Sequence, residues 1–326
     1  MNFTENSLAF KPYITTLYIL IYFPVWIAII CGNLVVMLAF VYHRELRRVQ
    51  NYFLVSLAAT DFLTGLVALP LHLVARLVVS QVTCLPSSRF IFFLPVLIFS
   101  SASAFHHLCI AIEGLLSLIC PLKYSHIVTS CRMKVVIATI WLCNFAFAFS
   151  PLYVPHPATD EWVCSYNQHY GDEVKLLYLI AAFGIPAFST LMFLLYTFML
   201  AIAYQKIKMH RKLSNNVAVI DAKKHFRGVV TMATVVGAFV VCLVPTSFKL
   251  FFEIYISATK EVLVTVETLC EFLLFLNSML NPIIYGCLNQ QFRAGFKEVL
   301  QSLKCKSALS SFLSLSLQNI INESNN

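Results

Sequence analysis

Charge is scarce in this sequence. Lys, Arg, Asp and Glu make up 12% of the 326 residues, against about 25% in a soluble domain. A water-facing surface cannot be built from so few ionised groups. The length alone would allow two or three soluble domains, and the composition excludes them. Glycine is scarce as well: nine residues exclude collagen-like and glycine-linker chains. The sequence has no repeat of about 20–50 residues and no low-complexity block. Metal-ligand spacing is missing too. There is no CxxC and no HxxxH, and the neighbours His106 and His107 point to different faces of a helix. No nucleophile, base and acid cluster at membrane depth, so the chain does not read as an enzyme.

Apolar residues are abundant. They reach 59%, and phenylalanine alone occurs 28 times, which excludes disorder. The remaining reading is a chain that uses the bilayer as its solvent. A membrane helix needs about 20 mainly apolar residues. Charge-free stretches run over 12–42, 90–112, 135–159, 176–205, 228–248 and 272–292, and 49–75 holds a single charge, Asp61. These are seven candidate spans. They are continuously apolar, whereas barrel strands are shorter and alternate. The expected fold is an all-α integral membrane protein, a seven-helix bundle over 14–287. A tail precedes it over 1–13, a short amphipathic membrane-surface helix follows over 288–303, and a cytoplasmic tail closes the chain over 304–326. On the surface helix, Phe292, Phe296, Leu300 and Leu303 share one face, with Arg293, Lys297 and Lys304 near the other.

Orientation follows from the basic residues. With the N-terminus outside, the inside segments are roughly 43–50, 119–134, 206–227 and 287–326, and they hold 17 of the 23 Lys and Arg. Asp160, Glu161, Asp172 and Glu173 fall in one outside loop. The net charge of +8 is thereby a topology signal. The basic residues lie at several membrane-flanking loops and not on one stripe, so no nucleic-acid partner is expected. No cleavable signal peptide is visible, and the first span is expected to act as its own anchor. Asn2-Phe3-Thr4 is a glycosylation sequon on the outside tail, while Asn322-Glu323-Ser324 lies inside.

Several residues stand out by position. The first span has Gly32-Asn33, and the second has Leu57-Ala58-Ala59-Thr60-Asp61. The fourth has Trp141 and then Pro151. Pro186 lies in the fifth span and Pro245 in the sixth. The seventh has Asn281-Pro282-Ile283-Ile284-Tyr285, followed by Phe292. Together, over roughly 14–304, these motifs resemble those of the rhodopsin-like (class A) G-protein-coupled receptors. The resemblance implies an extracellular ligand, a heterotrimeric G protein, arrestin as a further partner, and residence in the plasma membrane among its lipids.

Asp61 is an acid in an apolar helix, at a cost of about 2.5–3.5 kcal/mol on insertion scales. It must face polar partners, and the candidates are Asn33, Ser103, Asn277 and Asn281. The resemblance implies that these hold a sodium ion, the only cofactor expected. A water-filled polar network without an ion is the alternative. Pro186, Pro245 and Pro282 each remove a helix hydrogen bond. Each is either a fixed bend or a hinge, and the resemblance favours hinges at Pro245 and Pro282, with Tyr285 swinging as the sixth helix moves. Phe239 resembles the packed phenylalanine of the receptor core switch, and on its own it reads as a core residue.

Among the cysteines, Cys31, Cys109, Cys143, Cys242 and Cys287 lie in spans and pack as small apolar groups. The resemblance implies a disulfide between Cys84 and Cys164 in the outside loops. The family's usual third-span cysteine lies about one turn deeper, where this chain has Arg89. Cys305 is either a palmitate site or a free thiol.

Two positions depart from the family. The third span carries Glu113-Gly114-Leu115 in place of an Asp-Arg-Tyr type triplet, and the matching sixth-helix position is His225. Loss of that arginine implies either raised basal activity or weakened coupling, and it keeps a non-signalling decoy or scavenger in view. Leu243 stands where the family has tryptophan. A channel or transporter would need inverted repeats or a polar path, and only Asp61 and its neighbours are polar. Amine receptors need an aspartate where Val96 stands, and opsins a lysine where Phe275 stands. The candidate pocket residues are His72, Arg76, Arg89, Lys249, Glu253, Glu267 and Glu271. Glu267 and Glu271 are four apart on one helix face. They suit a cationic or zwitterionic ligand, or else they form salt bridges with Lys249 or Arg89, or a solvated rim. A peptide or a small polar molecule is expected, and lipid stays open.

Overall fold

A computed structural model of the protein describes residues 12–79, 86–149, 172–212, 216–255 and 260–302. Those residues form helices and no strand. The first span is Pro12–Tyr42 and the second runs over 52–79. The third is Pro86–Ile119, the fourth Ser130–Phe149, the fifth Asp172–Lys212, the sixth Asn216–Tyr255 and the seventh Lys260–Leu288. Six helices among the described residues are long and apolar enough to cross a membrane. A seventh is counted when the pair Pro121–Ile127 and Ser130–Ala146, bent by 66°, is taken together. The bend has a local cause. Pro121 opens the short helix at its first turn, where its missing N–H is no loss. Cys120 before it leaves the helical region, at φ −122° and ψ 55°.

Several helices outrun their charge-free stretches. The sixth begins at Asn216, so Lys223, Lys224 and Arg227 lie on its helix. The fourth begins at Ser130 and not at 135, and the second continues to 79 and not to 75. Absence of charge measures the passage through hydrocarbon, whereas the helices continue into the headgroup zone and beyond.

Large apolar side chains face outward, among them Phe23, Phe183, Phe193 and Phe198. In water this would be an aggregation surface, and in lipid it is the solvated face. Half of the second span's core window is buried, against 22% of the fifth's. The second span is thereby the central helix, and it carries Asp61. It winds into wide π-turns over Thr64–Ala68 and Ala75–Val79. Pro70, which follows the first of them, has no N–H for the Leu66 carbonyl. Gly65 sits within that turn because no Cβ fits: one would come 2.8 Å from Ile29 and 2.9 Å from Ile30. The Gly65 carbonyl accepts the Trp26 indole N–H at 2.8 Å, joining the first two spans.

Ser56, His106 and Trp141 tie spans two, three and four. His106 Nδ1 lies 2.7 Å from the Ala102 carbonyl, which can only accept, so the network assigns the proton to Nδ1. Nε2 then accepts from the Ser56 hydroxyl at 2.7 Å, and Ser56 Oγ accepts the Trp141 indole N–H at 3.3 Å.

The short helix after the seventh span runs over 290–302. The face expected from the sequence is corrected in part. Phe292 and Val299 are the fully buried side chains, packed in a core with Ala39 and Leu46, while Leu300 is exposed.

Candidate functional site

Three polar levels cross the bundle. At mid-depth Asp61 is fully buried. Its Oδ1 accepts the Ser278 hydroxyl at 2.7 Å and its Oδ2 accepts Asn281 Nδ2 at 2.7 Å. Asn33 Nδ2 donates to the carbonyls of Ile29, at 2.9 Å, and of Ser278, at 3.0 Å. The second of these acceptors has a cause four residues away. Pro282 has no N–H to give the Ser278 carbonyl, and Asn33 supplies the donor instead.

Ser278 is a partner of Asp61 that the sequence did not point to. A serine in a span is commonplace, and its spacing of three from Asn281 on one helix face was the available signal. Ser103 and Asn277 are buried, and Ser103 Oγ, Asn277 Oδ1 and Asn281 Oδ1 have no hydrogen-bond partner among the described residues. Ser103, Asn277 and Ser278 line a cavity of about 20 Å³, room for roughly one water. Val96, Phe99, Leu243 and Phe275 line it as well, so the leucine at the family's tryptophan position is part of its wall. One carboxylate with several otherwise unpartnered neutral oxygens is a donor set that fits a hard cation such as sodium. Among the described residues no three His, Cys, Asp or Glu side chains gather as a metal site.

Toward the C-terminal end of the second span, His72 and Arg76 meet Glu267 and Glu271 of the seventh. Arg76 Nη2 lies 2.6 Å from Glu271 Oε2 and 3.0 Å from Glu267 Oε2, and its Nε donates to Glu271 Oε2 at 3.2 Å. Lys249 of the sixth span reaches Glu267 Oε1 at 3.5 Å. His72 Nε2 is 3.3 Å from Glu271 Oε2. The Tyr18 hydroxyl donates to Thr268 Oγ1 at 2.7 Å. Arg76 and Glu267 each expose 14% of the side chain, and Glu271 10%. The ion pairs expected for the two glutamates therefore form with Arg76 as well as Lys249. Arg76 and Glu271 are 195 residues apart in the chain, and sequence spacing gave no sign of that contact. Tyr22 and Phe275 pack on His72, with ring centroids at 6.3 and 5.3 Å.

Toward the opposite end of the bundle, near the C-terminus of the third helix, Gly114 faces the fifth span. A Cβ there would come 2.6 Å from the Met199 methyl, so the methionine fills the volume an arginine stem would need. Glu113 is not isolated, because the Tyr124 hydroxyl of the short helix Pro121–Ile127 donates to its Oε1. Lys206 Nζ donates to the Leu118 carbonyl at 2.6 Å, near the end of the third helix, where a cation is favourable. Phe239 packs on His107 at 4.6 Å between ring centroids. Pro245 and Pro282 lie inside helices that continue past them. Tyr285 is buried and stacks on Phe292 at 5.2 Å. Cys84, Cys164, Asn2 and Cys305 lie outside the described residues, as do the side chains of Arg89, His225 and Glu253.

Comparison with known proteins agrees with this architecture. Residues 32–285 match the family described as 7 transmembrane receptor (rhodopsin family). The chain is 28% identical to the histamine H2 receptor of Homo sapiens over 280 residues, 83% of this chain and 75% of that one. It is 26% identical to adenosine receptor A2b of Gallus gallus over 317 residues, 90% of each. It is 28% identical to octopamine receptor beta-1R of Drosophila melanogaster over 320 residues, 85% of this chain and 60% of that one. With a family match over most of its length and the helix bundle that the family implies, the chain belongs to the rhodopsin family of seven-transmembrane, G-protein-coupled receptors.

Proposed function

We propose that this receptor sits in the plasma membrane with its N-terminus outside, binds a small polar ligand in the outer half of the bundle, and passes the signal to a heterotrimeric G protein. The carrying observation is the charged cluster of Arg76, Lys249, Glu267 and Glu271, which joins spans two, six and seven. A ligand that exchanges any of those contacts changes how three helices are held together. The relatives are named as receptors for histamine, adenosine and octopamine, all small polar molecules. The counter-charge at Val96 is missing, and among the described residues the carboxylates nearest an amine's place are Glu267 and Glu271 of the seventh span.

The coupling surface is assigned to the inner ends of spans three, five and six, around Gly114, Met199 and Lys206. Arrestin would share that face. Asp61, Ser103, Asn277 and Asn281 would hold a sodium ion, with Ser278 bonded to the carboxylate. Such an ion neutralises the buried charge at mid-depth. The Lys and Arg distribution supports the inside assignment of the C-terminus.

The test is guanine-nucleotide exchange on purified heterotrimeric G protein by the full chain in lipid nanodiscs, together with epitope tags on each terminus of intact cells. Exchange above the protein-free rate is expected, with only the N-terminal tag accessible from outside. No exchange with any G-protein class, or both tags reached from one side, would refute the assignment.

A further inference from the structure

We propose that His107 is a release for the sixth span, a polar side chain that the packed bundle leaves without a partner and that water satisfies once that span moves. This rests on the receptor reading above and concerns how the same bundle opens in the absence of ligand. His107 is fully buried in the third span. A neutral imidazole has one donor and one acceptor, and neither His107 Nδ1 nor Nε2 has a hydrogen-bond partner among the described residues. Its neighbour His106 gives the contrast, since both of its ring nitrogens are bonded, one to the Ala102 carbonyl and one to Ser56. The face of the Phe239 ring, 4.6 Å away between centroids, is at most a weak acceptor for an imidazole N–H.

The imidazole has company. One turn further along the third span, Ala111 shares a core with Tyr196 of the fifth and Val236 of the sixth. Ile110 shares another with Tyr285 of the seventh and Val235 of the sixth. The hydroxyls of both tyrosines are buried and also lack a partner among the described residues. Spans three, five and seven thus bring polar groups to this level, and the sixth meets them with Val235, Val236 and Phe239. A polar group buried without a bond destabilises the arrangement that buries it, and water that reaches it removes that cost. The contacts of the sixth span at this level are apolar and carry no direction, so it is the element whose displacement admits water. Leucine at 107 would keep an apolar contact with Phe239 and strand no atoms. The native histidine therefore shifts the balance toward the open arrangement before any ligand binds. Of the two consequences of a missing arginine at 114, raised basal activity is the one that this favours.

The experiment uses the full chain in nanodiscs without ligand. Hydroxyl-radical footprinting, read by mass spectrometry, labels Tyr196, Phe239 and Tyr285 where water reaches them. His107→Leu should lower that labelling by about tenfold, the shift set by relieving one stranded polar group, and should melt no lower than the native chain. His107→Asn keeps a donor and an acceptor in a different shape, and should retain most of the native labelling. Equal labelling in His107→Leu and the native chain, or no labelling of the native chain, overturns the proposal. So does a fall in His107→Asn as deep as in His107→Leu, which would make the ring's shape and not its polarity the cause. Should His107→Leu give no folded protein, His107→Met takes its place with the same expected fall. Failure of both to fold overturns the proposal too, because a ring held by no polar contact is replaceable. Basal nucleotide exchange is read in the same samples and should fall with the labelling. A fall in labelling with no exchange from either protein upholds the release and counts against G-protein coupling, so the two readings fail separately.

Discussion

The bond from Asn33 to the Ser278 carbonyl makes a prediction that can be worked through. Pro282 cannot donate to that carbonyl, and Asn33 Nδ2 does so at 3.0 Å from another helix. Asn33→Ala removes the donor. The carbonyl is then stranded beside side chains that are at most 6% exposed, at a cost of about 1–3 kcal/mol. Interhelical hydrogen bonds in membranes average about 0.6 kcal/mol, which places the expected loss near the lower end, about 1–2 kcal/mol. Pro282→Ala restores a backbone N–H at the position from which the helix itself would serve Ser278. In that background Asn33→Ala should cost about 1 kcal/mol less, because only the bond to Ile29 and the side-chain packing are lost. Removing the proline ring also opens space against Gly32, whose missing Cβ would lie 3.0 Å from it. That effect belongs to Pro282→Ala alone and cancels in the cycle. The assay is the unfolding midpoint of the four proteins in nanodiscs. Equal costs of Asn33→Ala in the two backgrounds would refute the account of why Asn33 is there.

Three further outcomes follow from the same geometry. Replacing sodium by choline should lower the melting midpoint of the native chain, and Asp61→Asn should abolish the difference. A sodium effect that survives Asp61→Asn would remove the ion from this site. Gly114→Arg should keep most of the folded yield, because only the flexible end of Met199 has to swing aside, and Met199→Ala should add little in the double variant, as read by size-exclusion chromatography. A collapse of the folded yield in Gly114→Arg that Met199→Ala recovers would show that the methionine is held in place. Lys206→Met should destabilise the chain by about 1 kcal/mol through loss of one charge-assisted hydrogen bond to the Leu118 carbonyl. An unchanged unfolding midpoint would mean that this contact contributes nothing.

The fold was legible because membrane passage is written in composition. A long run without charge suits hydrocarbon and little else, and the basic flanks add a direction. Helix length was not legible, since a helix has no reason to stop where the hydrocarbon does. The sixth span, with three basic residues on its inner extension, is the clear case. Asp61 announced itself, because a carboxylate in an apolar run must find partners. Asn281 is one of the four expected and is bonded to it, whereas Ser278 carries no such signal, being small and compatible with most surroundings. The cluster at Arg76 was legible only as a set of charges. Which charge meets which depends on contacts between helices almost 200 residues apart in the chain, and on the azimuth of each helix, which no local pattern encodes. The same holds for Gly114. The sequence shows that the arginine is missing, and only packing shows that Met199 has taken its space.

The wide turn at Thr64–Ala68 has a consequence for how such a receptor can change over time. Each residue of an α-helix turns the chain by about 100°, and a π-turn absorbs one extra residue without passing that rotation on. Wound as plain α-helix, the same residues would carry Arg76 about 100° round the axis and away from Glu271, with Asp61 left where it is. The turn acts as a swivel joint between the two levels. A single insertion or deletion there can re-aim the C-terminal end of the second span at a different chemistry, while the mid-depth carboxylate keeps its neighbours.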